Sequence, residues 1–192
     1  MNMKELIQTS VRESIAVKQA ILADEGFQEK IGLAAQAMIT AFQKDGKVLL
    51  CGNGGSAADA QHIAAELSGR FYTDRPPLYA EALHVNTSFV TAVANDYGYD
   101  DVFARMVEAA GRRGDVLVAI STSGNSPGII KAVEKAKKQG MTVVGLSGAS
   151  GGKMAGLCDI LLNVPSTDTP RIQESHILIG HIICEIVERE MF

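Results

Sequence analysis

From Lys47 onward the chain alternates short, uninterrupted apolar runs with segments of helical period. The runs are KVLLCG from Lys47, ALHV from Ala82, DVLVAIS from Asp115, MTVVGLS from Met141 and DILLNV from Asp159. Helical patterns fall between them at 57–68, about 101–111, 127–139 and, briefly, near 153–157. Strands without a polar face, separated by helices, predict a parallel sheet covered on both sides. Two helices precede this alternation. Ile7, Val11, Ile15 and Leu22 mark an amphipathic helix over 3–23. A second runs from about Phe27 to Phe42 and ends at Asp45-Gly46. Standing outside the alternation, both are expected to serve as subunit contacts. The last segment, 170–190, starts with Pro170 in a first turn, where a missing N–H costs nothing. Ile172, Ile177, Leu178, Ile179, Ile182, Ile183, Ile186 and Val187 cover most of its circumference. Such a helix is buried, and another subunit is one place to bury it.

The 192 residues suffice for one domain with a sizeable core, and no linker or charge block divides them. A net charge of −4 argues against a nucleic-acid or anionic-membrane surface. The longest basic cluster, Lys131, Lys135, Lys137 and Lys138, is interleaved with Glu134 and reads as a solvated helix face. No apolar run reaches the roughly 18 residues of a membrane span. The N-terminal MNMKELIQTSVRES lacks the apolar region of a signal peptide. Cys51, Cys158 and Cys184 are odd in number, widely spaced and set among apolar neighbours, so reduced core thiols are expected. The protein is expected to be cytoplasmic.

Two segments use one device. LLCGNGGSAADA and VAISTSGNSPGI each read as strand, Gly/Asn/Ser loop and helix. In an open α/β sheet, ligands bind beyond the carboxyl ends of the strands, near a topological switch point. In the second loop Ser121, Thr122, Ser123 and Ser126 supply hydroxyls, and Gly124 lets the backbone turn. Hydroxyls, backbone amides and a helix N-terminus can hold a phosphate monoester without a lysine. Locally, the same residues also fit a Ser/Gly turn with a helix cap. A P-loop is absent. Gly52, Gly54 and Ala57 match a loose dinucleotide fingerprint. The acidic residue it requires about 20 positions on falls at Asp74, in the loop YTDRPP, and the dinucleotide reading fails.

His62 and Glu66 stand one turn apart on the helix that leaves the first loop. Alone they read as a solvent-facing pair, or as two ligands for a metal. In the last helix, His181 lies on an apolar stretch and by itself reads as a satisfied core histidine, as do His84 and His176. Asn95 and Asp96, in AVANDYGYDD, read as a turn with an Asx motif. Arg70 either caps the first core helix or binds an anion.

Together, CGNGGSAADAQHIAAELSGR, ANDYGYDDVFAR, GDVLVAISTSGNSPGIIKA, LSGASGGKMAG and RIQESHILIGHIICEIVE resemble the phosphoheptose isomerase family of the sugar-isomerase (SIS) superfamily. The resemblance spans nearly the whole chain. It implies one SIS domain over 1–192: N-terminal helices over 1–45 and an α/β core over 46–192. It implies a three-layer α/β/α sandwich on a five-stranded parallel sheet. It further implies conversion of D-sedoheptulose 7-phosphate to D-glycero-D-manno-heptose 7-phosphate through an enediol, the first step towards ADP-heptose and the heptose of lipopolysaccharide core. The implied assembly is a homotetramer with sites at subunit interfaces.

The same resemblance assigns roles. Asn53, Gly54, Gly55, Asn95 and Asp96 contact substrate, as do Glu66 and Gln173. Ser121, Thr122, Ser123 and Ser126 hold the phosphate. Glu66 and His181 are the catalytic acid/base pair, and His62, Glu66, Gln173 and His181 match a zinc site with one ion per subunit. Gln173 and His181 are eight residues apart, a rise of about 12 Å on a straight helix. Both reach one metal only by leaning together or by coming from different chains. Two other functions use related folds: a non-catalytic phosphosugar-binding protein that recruits a replication initiator, and a phosphosugar-sensing module. Glu66 and the intact STSGNS favour catalysis over the first. The sensing module would normally accompany a DNA-binding segment.

Overall fold

The computed structural model describes residues 2–192. Helix α1 (Met3–Ala23) begins at a capping box made by Asn2 and Glu5, and Asp24 both ends α1 and caps α2 (Glu25–Phe42). The core follows as β1 (Val48–Cys51), α3 (Gly55–Ser68), β2 (Ala80–Ala82), α4 (Thr87–Asp96), α5 (Val102–Ala110), β3 (Val116–Ile120), α6 (Pro127–Gln139), β4 (Thr142–Ser147), β5 (Ile160–Asn163) and α7 (Thr169–Met191). Short 3-10 turns occupy Tyr99–Asp101 and Gly152–Gly156.

The five strands form one parallel sheet in the order β2-β1-β3-β4-β5. Successive side chains of a strand point to opposite faces, and the core divides accordingly. Val48, Leu50, Val116, Val118, Val144 and Leu146 pack under α2, α3 and α7. Leu49, Cys51, Leu117, Ala119 and Val143 pack under α4, α5 and α6. This is the expected three-layer sandwich. Cys51 and Cys184 are buried, Cys158 is half-buried, and all three are free thiols. Burial pushes the Cys184 thiol up to about 12, in keeping with a core role. No helix among the described residues is long and apolar enough to cross a membrane.

Two local expectations are corrected. The second strand is Ala80–Ala82, two residues earlier than the apolar run ALHV, with Val48 opposite Ala80. Asn86 is the reason: its side chain accepts from Phe89 N–H at 3.0 Å and starts α4, so the chain leaves the sheet before His84 and Val85. Asn95 and Asp96 lie in the last turn of that helix rather than in an Asx turn.

The segment after α3 is held by a buried ion pair. The Arg75 and Glu188 side chains are 2% and 4% exposed, with Nε 3.0 Å from Oε2. Arg75 also donates to the carbonyls of Glu66 and Leu67, both at 2.8 Å, closing the C-terminus of α3. Glu188, on α7, accepts from the backbone N–H groups of Phe71, Tyr72 and Thr73. Arg70, which the sequence left as either a cap or an anion ligand, is exposed, and it is Arg75 that closes the helix.

Burial favours the neutral Glu188, but these donors outweigh it and hold the carboxyl down at about 2. His176 is fully buried, donates to the Ser147 carbonyl at 3.2 Å, and is pushed down to about 4 by burial. Both folded values lie below the ordinary ones of 4.5 and 6.5. The unfolded chain therefore binds more protons in each interval, and stability falls with acidification. The free energy of urea unfolding is expected to fall as the His176 contribution is lost between about pH 6.5 and 4, and again as that of Glu188 is lost below about 4.5. His176→Gln keeps a donor for Ser147 and should flatten only the first decline. An unchanged slope there would exclude His176 as its source. Arg75→Ala leaves Glu188 buried and unpaired and should cost roughly 3–5 kcal/mol of unfolding free energy.

Candidate active site

Strand order places the site. The chain passes from β1 to β2 on one side and later from β3 to β4 on the other, so the sheet changes direction between β1 and β3. The loops leaving β1 and β3 meet at this switch point. Asn53 Nδ2 donates to Ser126 Oγ at 2.9 Å, joining GNGGS to STSGNS. Tyr99, which sequence reasoning missed, donates its hydroxyl to Asn53 Oδ1 at 2.9 Å.

The STSGNS loop is locked by close backbone contact. Gly124 has φ +65°, and a Cβ there would lie 2.0 Å from the Gly151 carbonyl oxygen. Its own carbonyl accepts from Met154 N–H, and Asn125 Oδ1 accepts from Lys153 N–H. Ser121 is buried, Thr122 and Ser126 are half-buried, and Ser123 is exposed. Ser126 occupies the N-cap position of α6 but makes no side-chain capping bond. The first N–H groups of α6 have no intrahelical partner, so hydroxyls and helix terminus together present donors to an anion. A cleft of about 290 Å³ opens beside them between Thr122, Ser123, Asn125, Ser150, Ser166 and Thr169.

Helices α3 and α7 lie side by side and run the same way. Gln173 packs on Gly55, where a Cβ would meet its Nε2 at 2.6 Å, and seven residues on Gly180 packs on Ile63, Cβ to Cδ1 2.6 Å. That second contact brings the histidines together. His62 Nε2 is 2.9 Å from Glu66 Oε1 and 3.4 Å from His181 Nε2. One ligand atom from each of the three side chains lies within 4.8 Å of the others. The His62 and His181 rings meet edge to face at 5.0 Å, and His181 stacks on Phe71 at 5.6 Å. His181 is half-exposed, not the buried core histidine its apolar neighbours suggest; His176 fills that role, and His84 is half-buried.

The convergence has chemical meaning. A Nε2–H on His62 serves Glu66 or His181, not both. A divalent cation satisfies all three at once. Two imidazoles and a carboxylate, partly exposed, suit a metal that keeps an open coordination position. Gln173 sits at the Gly55 end of the helix pair, about 10 Å of helix rise from His62. That position separates it from the three-residue cluster. Asn95 and Asp96 are exposed and hydrogen-bond to each other at 2.8 Å. Among the described residues they make no hydrogen bond to either loop.

Comparisons with known proteins place the chain in a family. The family model described as SIS domain matches residues 12–148. A phosphoheptose isomerase from Aneurinibacillus thermoaerophilus is 55% identical over 190 residues, covering 99% of this chain and 96% of the relative. The solved structure of a phosphoheptose isomerase from Neisseria gonorrhoeae has a TM-score of 0.90 at 47% identity, covering 97% of this chain and 99% of that one. One from Francisella tularensis has a TM-score of 0.94 at 40% identity, covering 98% and 100%. The chain belongs to the SIS domain family and, within it, to the phosphoheptose isomerases.

The close packing of α3 on α7 can be tested. Gly180→Ala should cost about 1–3 kcal/mol by overpacking against Ile63. In the Gly180→Ala, Ile63→Ala double variant the penalty should be less than the sum of the two single costs. Additive losses would mean that this contact does not set the helix separation.

Proposed function

We propose that the chain converts sedoheptulose 7-phosphate to D-glycero-D-manno-heptose 7-phosphate, with Glu66 and His181 as its acid/base pair. The observation that carries this reading is the meeting of His62, Glu66 and His181, two of them on the helix that leaves the GNGGS loop. Moving the carbonyl from C2 to C1 needs one proton taken from C1 and one delivered to C2, while the proton on O1 leaves and O2 gains one. The reaction needs no external oxidant. Glu66 Oε1 faces His62, which leaves Oε2 for the carbon proton. His181, through the ring nitrogen that it does not offer to the cluster, serves the oxygen protons. Phe71 fixes the ring plane of His181.

We assign the phosphate to Ser121, Thr122, Ser123 and Ser126, and the sugar hydroxyls to Asn53, Gly54, Gly55 and Gln173. Asn95 and Asp96 reach the substrate in the assembled protein. The Gly55-to-His62 rise of about 10 Å is on the scale of an extended seven-carbon sugar phosphate. Phosphate and reacting carbons can thus engage opposite ends of one site. Zinc is the ion we assign to His62, Glu66 and His181; when bound it would polarise the carbonyl as a Lewis acid. The assembly we assign is a homotetramer with sites at subunit contacts, in the cytoplasm. The exposed apolar stripe of Met3, Ile7, Val11, Ile15 and Leu22 along α1 supports a helical contact between copies.

The test is turnover of sedoheptulose 7-phosphate with and without added zinc. Glu66→Gln is expected to lower kcat by about 10²–10⁴-fold, and His62→Ala to lose zinc in a metal-content measurement. An active, zinc-free Glu66→Gln protein would overturn both roles of Glu66. Wild-type protein that binds the sugar phosphate without turnover would instead be a phosphosugar-binding protein.

A further inference from the structure

Tyr99 lies within ANDYGYDDVFAR, where the sequence gives it no role, yet its hydroxyl is bonded to the GNGGS loop. Its 3-10 turn is held against α6 by Lys131, whose Nζ lies 2.9 and 3.0 Å from the two Asp101 carboxylate oxygens. Its ring meets the fully buried Phe103 edge to face at 6.3 Å. The turn and the ring thus present the hydroxyl to Asn53 Oδ1.

An amide has one accepting and one donating end, so its partners decide which way it faces. A phenol donates more readily than it accepts, and Tyr99 therefore favours the orientation with Oδ1 toward itself. Nδ2 is then directed at Ser126 Oγ, where it lies at 2.9 Å. A serine hydroxyl has one proton to donate, and with Asn53 donating into Oγ that proton points elsewhere. No helix-capping bond engages the Ser126 side chain. Were the amide reversed, Oδ1 would accept the Ser126 proton and withdraw it from an anion.

We propose that Tyr99 is a positioning residue for the phosphate subsite: through Asn53 it turns the Ser126 hydroxyl proton toward the bound phosphate. The inference rests on the assignment of STSGNS to phosphate and adds a residue that acts through two others. A bound phosphate and Tyr99 select the same amide orientation, so each strengthens the other's effect.

The test is a double-mutant cycle with two readouts, direct calorimetric binding of inorganic phosphate and steady-state kinetics on sedoheptulose 7-phosphate. Tyr99 is 52% exposed and Tyr99→Phe removes only its hydroxyl, so the thermal midpoint should stay within about 2 °C of wild type. Phosphate affinity should fall about fivefold, as for one lost neutral hydrogen bond. KM should rise by about the same factor, with kcat changed less than about twofold. In an Asn53→Ala background, Tyr99→Phe should add less than about 1.5-fold. Unchanged phosphate affinity in Tyr99→Phe overturns the proposal. So does a full effect in the Asn53→Ala background, or wild-type protein that binds no phosphate. Loss of phosphate affinity as expected, in a wild type without turnover, supports the role of Tyr99 and removes only the heptose reading.

Discussion

The Arg75–Glu188 pair is the constraint on which the geometry of the His62–Glu66–His181 cluster depends. It is buried at the far end of the parallel α3–α7 packing, and each partner is satisfied by more than the other. Arg75 closes the carbonyls at the end of α3, one of them belonging to Glu66. Glu188 gathers the next three backbone N–H groups, including that of Phe71. Phe71 stacks on His181, which lies two turns before Glu188 on α7. A single ion pair therefore sets the end of the helix carrying Glu66 and the aromatic surface that orients His181. A buried pair of this kind is weak support for net stability, because desolvation offsets much of its attraction. Its contribution here is positional: the same atoms fix three chain segments relative to one another.

Close approach sets the remaining distance. Two side-by-side helices normally keep their axes 8–10 Å apart, depending on the side chains at the contact. Gly180 reduces the bulk beside His181 and lets Ile63 fill the space, so His62 and His181 face each other across a narrow seam. Gly55 does the same for Gln173 at the other end. The glycine-rich loop and the glycine in the apolar C-terminal helix thus serve one geometric purpose, although they lie far apart in sequence.

The layers were legible because a parallel sheet buried on both faces leaves continuous apolar runs. Helix bounds follow from caps such as Asp24 and Asn86, and the first and last helices were readable to within a few residues. The short edge strand was misplaced because the apolar run outlasts the pairing: Leu83 N–H makes the last bond to the Leu50 carbonyl, and His84 and Val85 lie past it. The His62–Glu66 spacing could be read from helical periodicity, whereas His181 joins them only through the α3–α7 contact. Its apolar neighbours in sequence line other sides of α7, so burial of the helix said little about the one face that opens. Arg75 and Tyr99 had no local signal. Each acts across more than 40 residues of chain, on partners that only the folded sheet brings near. A tyrosine after a glycine in a polar stretch, or an arginine before two prolines, is ordinary loop composition.

The two ends of the site place different demands on the fold. Holding a phosphate requires donors already aimed at one point, and the STSGNS loop, to which we assign it, has a rigid backbone: Gly124 is locked against Gly151, and Ser126 is tied to Asn53. Moving protons requires side chains that can exchange partners, and the three-residue cluster stands partly open, with the His62 side chain 49% and that of Glu66 23% exposed. In an isolated chain that openness would admit water to the reacting carbons and weaken each charge in the cluster. A contact between copies would cover it without stiffening the groups themselves. The apolar surface left on α1, and on α7 beside Leu178, Ile182 and Ile186, is therefore consistent with chemistry that one chain positions and an assembly encloses.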